Sequence, residues 1–319
     1  MSGTLQALTF ELFAFRFQFR ALEYVYFPPG KAGNIVRGAL GRTFRKFACA
    51  PSCSDARLCS QRDLCAYARL FEPVAVEAGP SGFHDWPRPF VIRAAHLDAC
   101  RVRPQEIFHF DLCMFQLHGP ALAYFAFSFL ELVREGLGPG RAKVELAAVH
   151  SLTASGEVGT KVFDGGILGE PQSITLSLAS ESGSPGHVRI VFLTPTELKE
   201  EGRVVRQPEF RTLFARVRDR ILLLRRLYGG GPLPLDFAGS NARAASVKLV
   251  NSSLRWETSE RRSGRTGQTH SLGGLIGWAD YEGELDEFAP YLKAAYWTGV
   301  GRQTTWGKGQ IKTEFRADR

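Results

Sequence analysis

The chain has 319 residues, 44% of them hydrophobic and 23% charged. That length and apolar content exclude a disordered or fibrous chain and leave room for two cores. A net charge of +8 and a pI of about 9.3 favour a polyanionic partner, either nucleic acid or an acidic membrane surface.

No run approaches the roughly 18 uncharged residues that would span a bilayer. The most apolar stretch, PALAYFAFSFL (120–130), runs directly into ELVREGLG. The N-terminus alternates apolar and polar residues and carries Glu11, Arg16 and Arg20, which reads as a strand over 6–20 and not as a signal peptide. The expected location is the cytoplasm.

A Pro- and Gly-containing loop (23–34) follows, then a helix over 34–48 with Asn34 as its N-cap. Val36, Leu40, Phe44 and Phe47 form its apolar face. Cys49, Cys53, Cys59 and Cys65 come next, spaced C-x3-C-x5-C-x5-C. In a reducing compartment four clustered thiols bind a metal more readily than they form disulfides. Zinc or an iron–sulfur cluster would suit four thiolates, and thiols merely tolerated in a loop are the alternative. Strands at 90–94 and 106–119, a helix over 120–136 stopped by Gly136, Gly138 and Gly140, and a strand at 142–152 complete a β-α-β-β-α-β unit.

A glycine-rich linker (153–172) leads to a second half on the same plan. It has strands at 173–179 and 187–194 and a long helix over 207–228. Two strands follow around a basic tip (246–283), then a helix over 285–297 and a final strand at 310–315. The expected fold class is α+β, with two tandem ferredoxin-like (RRM-like) β-α-β-β-α-β domains at 1–152 and 153–319.

TGVGRQTTWGKGQIK (298–312) precedes the last strand. It lacks the spacing of a Walker A motif and follows a helix, unlike a Rossmann fingerprint. Gly299, Gly301, Gly307 and Gly309 would let backbone N–H groups approach a phosphodiester. Arg302 and Lys308 would add charge and Trp306 a stacking face. The competing reading is a glycine turn pressed against its neighbours.

The segment from His270 to Lys312 resembles the C-terminal signature of the CRISPR-associated pre-crRNA-processing endoribonucleases of the RAMP superfamily. It has a Gly273-Gly274-x-x-Gly277 strand, an acidic-hydrophobic helix, and Val300-Gly301-Arg302 leading to Trp306-Gly307-Lys308-Gly309. LRWETSERRSG is similar to the family's R-[YW]-S strand but carries Glu257 where serine is usual. IVRGALGRTFRKFAC, CAYARLFEP and GLGPGRAKVEL resemble N-terminal signatures of a bacterial branch whose members carry the four-cysteine insert. The resemblance implies tandem ferredoxin-like domains and metal-independent cleavage of CRISPR repeat RNA by its own 2′-hydroxyl. The ends left would be a 2′,3′-cyclic phosphate and a 5′-hydroxyl, and the product RNA could stay bound.

Such cleavage needs a base, an acid and cations on the phosphorane. Many relatives place a histidine in or near the first loop and helix and some use lysine, arginine and tyrosine instead; this sequence has no histidine between residues 1 and 83. The equivalent region offers Tyr24, Tyr26, Lys31, Arg37, Arg42 and Lys46. Lys31 or Tyr26 is the expected proton-transfer group and Arg37 the phosphate ligand. His270, beside the basic tip, is a further catalytic candidate. Arg42, Lys46, Arg255, Arg261, Arg262 and Arg265 are candidates to hold RNA phosphates. The runner-up is a non-catalytic RNA-binding subunit of a CRISPR effector complex, with other effector subunits as partners. A metal-dependent or redox-sensing nucleic-acid binder comes third. No catalytic cofactor and no membrane contact are expected.

Overall fold

The computed structural model describes residues 8–49, 53, 55–56, 58–73, 86–117, 121–183, 186–258, 260–262 and 269–316. The chain divides into two compact units, one of Leu12–Ile174 and one of Met1–Glu11 with Thr175–Arg319.

The first unit is built from β1 (Thr9–Ala21), α1 (Ala32–Ala48), β2 (Phe90–Arg93), β3 (Ile107–Met114), α2 (Ala121–Leu130) and β4 (Val144–Leu152). The sheet runs β2-β3-β1-β4, all antiparallel. This is the ferredoxin-like order, with strands one and three in the centre. The alternation in β1 buries Phe15, Phe17 and Phe19 on the helix side. Phe17 stacks on Phe110 at 5.6 Å, and Phe129 of α2 tilts against both. Such aromatic contacts add about 0.5–1.5 kcal/mol each beyond area burial.

The segment read as a linker belongs to this unit. β5 (Val158–Asp164) pairs with β4 and extends the sheet. Its polar alternation and glycines hid it, because a strand beyond the central four needs little apolar burial.

The helix start also differs from expectation. Asn34 lies inside α1, and Lys31 is the N-cap, with no capping bond from its own side chain. The first N–H is satisfied from elsewhere: Asp98 Oδ1 accepts from Ala32 N at 2.9 Å. Phe47 is exposed and does not continue the apolar face, whereas Thr43 is buried and bonds back to Ala39 O.

The second unit repeats the plan with β6 (His187–Thr196), α3 (Phe210–Tyr228), β7 (Lys248–Glu257), β8 (Gly274–Glu282), α4 (Ala289–Thr298) and β9 (Ile311–Arg316). Its sheet runs β7-β8-β6-β9, again with strands one and three central. Phe210, Leu213, Val217, Ile221 and Leu224 of α3 are fully buried, as their helical spacing predicts. Phe210, Phe214, Phe288 and Tyr281 form one aromatic cluster. A helix at Phe237–Ser246 and a hairpin of Leu198–Glu200 with Arg203–Val205 were not legible as elements.

Two arginines of α3 that could have solvated its outer face are buried instead. Arg218 bonds Asn241 and Asp219 and lies over Phe237, while Arg225 bonds Thr9 O and Gly231 O.

Candidate RNA-processing site

The candidate residues are spread over both units. In the first unit, the loop before α1 forms a two-residue strand, Val25–Tyr26, paired with Arg101–Val102. Tyr24 and Tyr26 are exposed and Val25 is buried between them. The Arg101 guanidinium lies 5.4 Å from the Tyr26 ring centroid. Lys31 follows at the N-cap of α1. The glycine loop at Gly136–Gly140 closes over the same end of the unit, and a Cβ at Gly138 would touch Ile35 and Tyr26 O.

Arg37 points elsewhere. Its guanidinium lies over Phe71 at 5.7 Å and beside Gly41, where it lowers the pull of burial on the Tyr67 hydroxyl. Arg42 is exposed. Lys46 is paired with Glu135, which also has Arg141 at 3.9 Å. The Lys46 hydrogen bond, then the Coulombic pull of Lys46, Arg141 and Arg42, hold the Glu135 carboxyl below the usual range.

The four clustered cysteines lie between α1 and the short helix Ala66–Phe71. Cys49 caps the end of α1, and Cys65 is the N-cap of the short helix. Arg45 Nη2 donates to Cys53 O at 2.8 Å. The Cys49 thiol lies against those of Cys65 and Cys53, and Cys53 against Cys59. Burial, then these neighbours, push Cys49 up to about 12, and burial followed by Cys59 raises Cys53. The contacts form a chain of thiols. Among the described residues no group of three or more His, Cys, Asp or Glu side chains is arranged to hold a metal ion.

In the second unit the glycine-rich loop is a packed turn. Gly299 (φ 65°) ends α4, Val300 N donates to Gly309 O at 2.8 Å, and Gly309 N donates to Pro195 O at 3.2 Å. A Cβ at Gly301 would overlap Glu197 O, and one at Gly309 would overlap Val300 O. The glycines are therefore spent on the turn itself. Lys308, expected to face a phosphate, is 3% exposed. Arg302 remains at the surface, with Nη1 3.2 Å from Glu197 Oε1, and Trp306 is half-buried. Gly307 sits in the left-handed region closing a 3-10 turn at Thr304–Trp306. From below, Arg220 Nε donates to Thr298 O at 2.8 Å and so fixes the start of the loop. Burial lowers this guanidinium to about 10. Neither Arg220 nor Asp98 carried any sequence signal, since each acts through a partner far along the chain.

The Gly273-Gly274-x-x-Gly277 strand has the same explanation. A Cβ at Gly274 would overlap Thr196 N, and one at Gly277 (φ 118°) would overlap Ser253 O. The basic tip extends β7 and β8 as a short ladder in which Arg261 faces His270 and Arg262 faces Thr269. Arg265 lies outside the described residues. Arg255 is exposed, with Glu257 Oε2 3.6 Å from its Nη2.

Two tandem ferredoxin-like units, each with the 2-3-1-4 strand order, define an α+β protein. Comparisons with known proteins place it further. The model of the CRISPR-associated endoribonuclease Cas6 matches residues 190–311, and a second family model, described as an N-terminal domain, matches residues 10–174. Its C-terminal unit is thus similar to the Cas6 family of CRISPR-associated endoribonucleases. Among solved structures, Thermus thermophilus Cas6 is 14% identical, with 95% of this chain and 98% of that one covered at a TM-score of 0.54. A Cas6 product complex is 17% identical over 95% and 99% at a TM-score of 0.54. A partial Cas6-RT-Cas1–Cas2 complex is 12% identical over 98% of this chain and 47% of that one at 0.55. No curated protein matches the sequence.

Proposed function

We propose that this endoribonuclease cuts CRISPR repeat RNA within the long precursor transcript, and that the phosphates its basic surface attracts are those of RNA. The observation that carries this reading is the Cas6 match over 190–311, which spans the glycine strand, α4 and the glycine-rich loop. The chemistry is attack by the 2′-hydroxyl on the adjacent phosphate without a catalytic metal. The O2′–P bond forms as the P–O5′ bond breaks, leaving a 2′,3′-cyclic phosphate and a 5′-hydroxyl.

Lys31 and Tyr26 are the proton-transfer candidates. His270, placed opposite Arg261 in the hairpin ladder, is the candidate from the second unit. Arg37 would serve a phosphate only by leaving Phe71, so Arg42 and the hairpin arginines take that role first. The cut RNA stays bound through these cations, and other CRISPR proteins are its partners in the prokaryotic cytoplasm. Among the described residues no helix is long and apolar enough to cross a membrane.

The test is end-group analysis after incubation with labelled repeat RNA in EDTA. The downstream fragment should accept phosphate from polynucleotide kinase, and the upstream end should resist phosphatase until acid opens it. Lys31→Ala should slow cutting by about 10²-fold or more, as loss of a general acid or base does, with RNA affinity largely retained. Tight binding without cutting would favour the non-catalytic subunit.

A structural metal is part of the reading as well, carried by the chemistry of the donors and not by their arrangement, which among the described residues is a chain of contacts and no closed site. Cys49, Cys53, Cys59 and Cys65 are a donor set that zinc or an iron–sulfur cluster takes, with no open position left for chemistry. Metal analysis of protein purified without chelator should give one zinc per chain, or iron with absorption near 400 nm. Metal-free protein with four titratable thiols in this segment would remove this part of the reading.

A further inference from the structure

We propose that Tyr24 and Tyr26, with Arg101 and Arg103 opposite them, form a platform that stacks and neutralises unpaired nucleotides flanking the RNA stem. The inference rests on the RNA reading above and adds a surface for single-stranded RNA to it.

The geometry is a small two-by-two ladder. Val25 pairs with Val102 and Tyr26 with Arg101. Continuing that register places Arg103 opposite Tyr24. Residues two apart in a strand share a face, and cross-strand partners share it too. Exposure agrees: Tyr24 is 71% and Tyr26 47% exposed, while Val25 between them is 2% exposed. Arg101 and Arg103 are exposed and flank the buried Val102.

Two tyrosines so open to water are unusual, since aromatic rings contribute most when buried. The stability of the fold does not require them, because Val25, Phe27 and Val102 supply the buried side of this ladder. The arginines are unusual as well. Arg16, Arg189, Arg243 and Arg302 each meet a carboxylate, but among the described residues Arg101 and Arg103 make no ion pair. Arg101 spends its charge on the Tyr26 ring.

Exposed rings beside arginines that make no ion pair are what single-stranded RNA requires: a π-face for each base and a cation for each phosphate. Rings two residues apart lie about 7 Å apart, which suits bases splayed from their stack and not a continuous duplex. A duplex offers no base faces, so this surface is selective for the unpaired part of a repeat.

The test is fluorescence anisotropy on the full chain with three probes. One is a repeat hairpin alone, one the same hairpin with an unpaired flank of about ten nucleotides, and one the flank alone. The flank should tighten wild-type binding about ten-fold or more, as stacking of one or two bases does. Tyr24→Ala should lose that gain while binding the bare hairpin as wild type does, and Tyr24→Trp should restore it. Arg103→Ala should lower the salt slope of flank binding by about one.

Wild type that binds the hairpin with no gain from the flank, or Tyr24→Ala that keeps the full gain, would overturn the platform and leave the RNA reading intact. Wild type that binds none of the three probes would remove both.

Discussion

Arg189 sits directly across the sheet from Asp280 and closes on it with two hydrogen bonds of 2.6 and 2.7 Å. The first unit holds the same relation between Arg16 and Asp111, at 2.8 and 3.0 Å. In both units the arginine is on strand one and the aspartate on strand three, the two central strands. The repeat invisible in the sequence as a period is thus visible as a pair of matched bidentate contacts.

The pair in the second unit should be a stability element. Arg189 also covers Trp278 at 3.7 Å, and its hydrogen bond holds the Asp280 carboxyl below the usual range. Asp280→Asn and Arg189→Met should each cost about 1–3 kcal/mol, with the double variant costing less than the sum. Because the folded carboxyl is the more acidic one, this stability is present above the unfolded value of 3.8 and is lost as pH falls through the folded value. Urea denaturation of the four proteins checks the cycle, and simple additivity would contradict the coupling.

His109 should make the first unit acid-sensitive. Its ring stacks on His96 at 4.4 Å, with Arg16 and Asp111 beside it. Burial, then His96 and Arg16, lower it from 6.5 to about 4, against the opposing pull of Asp111. Between those values the unfolded chain binds more protons than the folded one. The contribution is therefore complete above pH 6.5 and is lost as pH falls toward 4. Solvent screening of this half-buried ring limits the loss to about 1–2 kcal/mol. The unfolding midpoint of wild type should drop more from pH 7 to pH 5 than that of His109→Gln, and equal drops would count against it.

Glycine substitutions should separate structural glycines from tolerated ones. Gly309→Ala meets both a φ of 69° and the Val300 carbonyl, so it should cost about 2 kcal/mol or more and loosen the loop. Gly38, inside α1, has nothing within 4 Å of a built Cβ. Gly38→Ala should therefore stabilise by about 0.5–1 kcal/mol through helix propensity. Melting temperatures that move in the same direction for both would refute the assignment.

Asp98→Ala should unfasten the start of α1, because its carboxylate replaces a side-chain cap that Lys31 cannot supply. The expected cost is about 1 kcal/mol, and hydrogen exchange should quicken in the first turn of α1. Unchanged protection there would show that the cap is dispensable.

Periodicity made both β-α-β-β-α-β units legible, since buried faces such as Phe15-Phe17-Phe19 and Phe210-Leu213-Val217 write themselves at two and near-four-residue spacing. The strand at Val158–Asp164 was missed because the glycines around it imitate a linker. The glycine-rich loop showed its chemistry but not its use: spacing could not say that Glu197 O and Val300 O crowd the backbone there. The burial of Lys308, Arg218 and Arg225 was equally hidden, because a cation on a helix or loop reads as solvated until its partners are in place. The platform residue Arg103 had no motif, and only the ladder register places it opposite Tyr24.

The most direct test of the central claim uses repeat RNA carrying a single 2′-deoxy substitution at the cut site, incubated with the protein in EDTA beside the all-ribose RNA. Cutting of the ribose substrate alone, at one position and without metal, is the predicted result. Equal cutting of the 2′-deoxy substrate, or cutting that requires added metal, would contradict the attack by the 2′-hydroxyl.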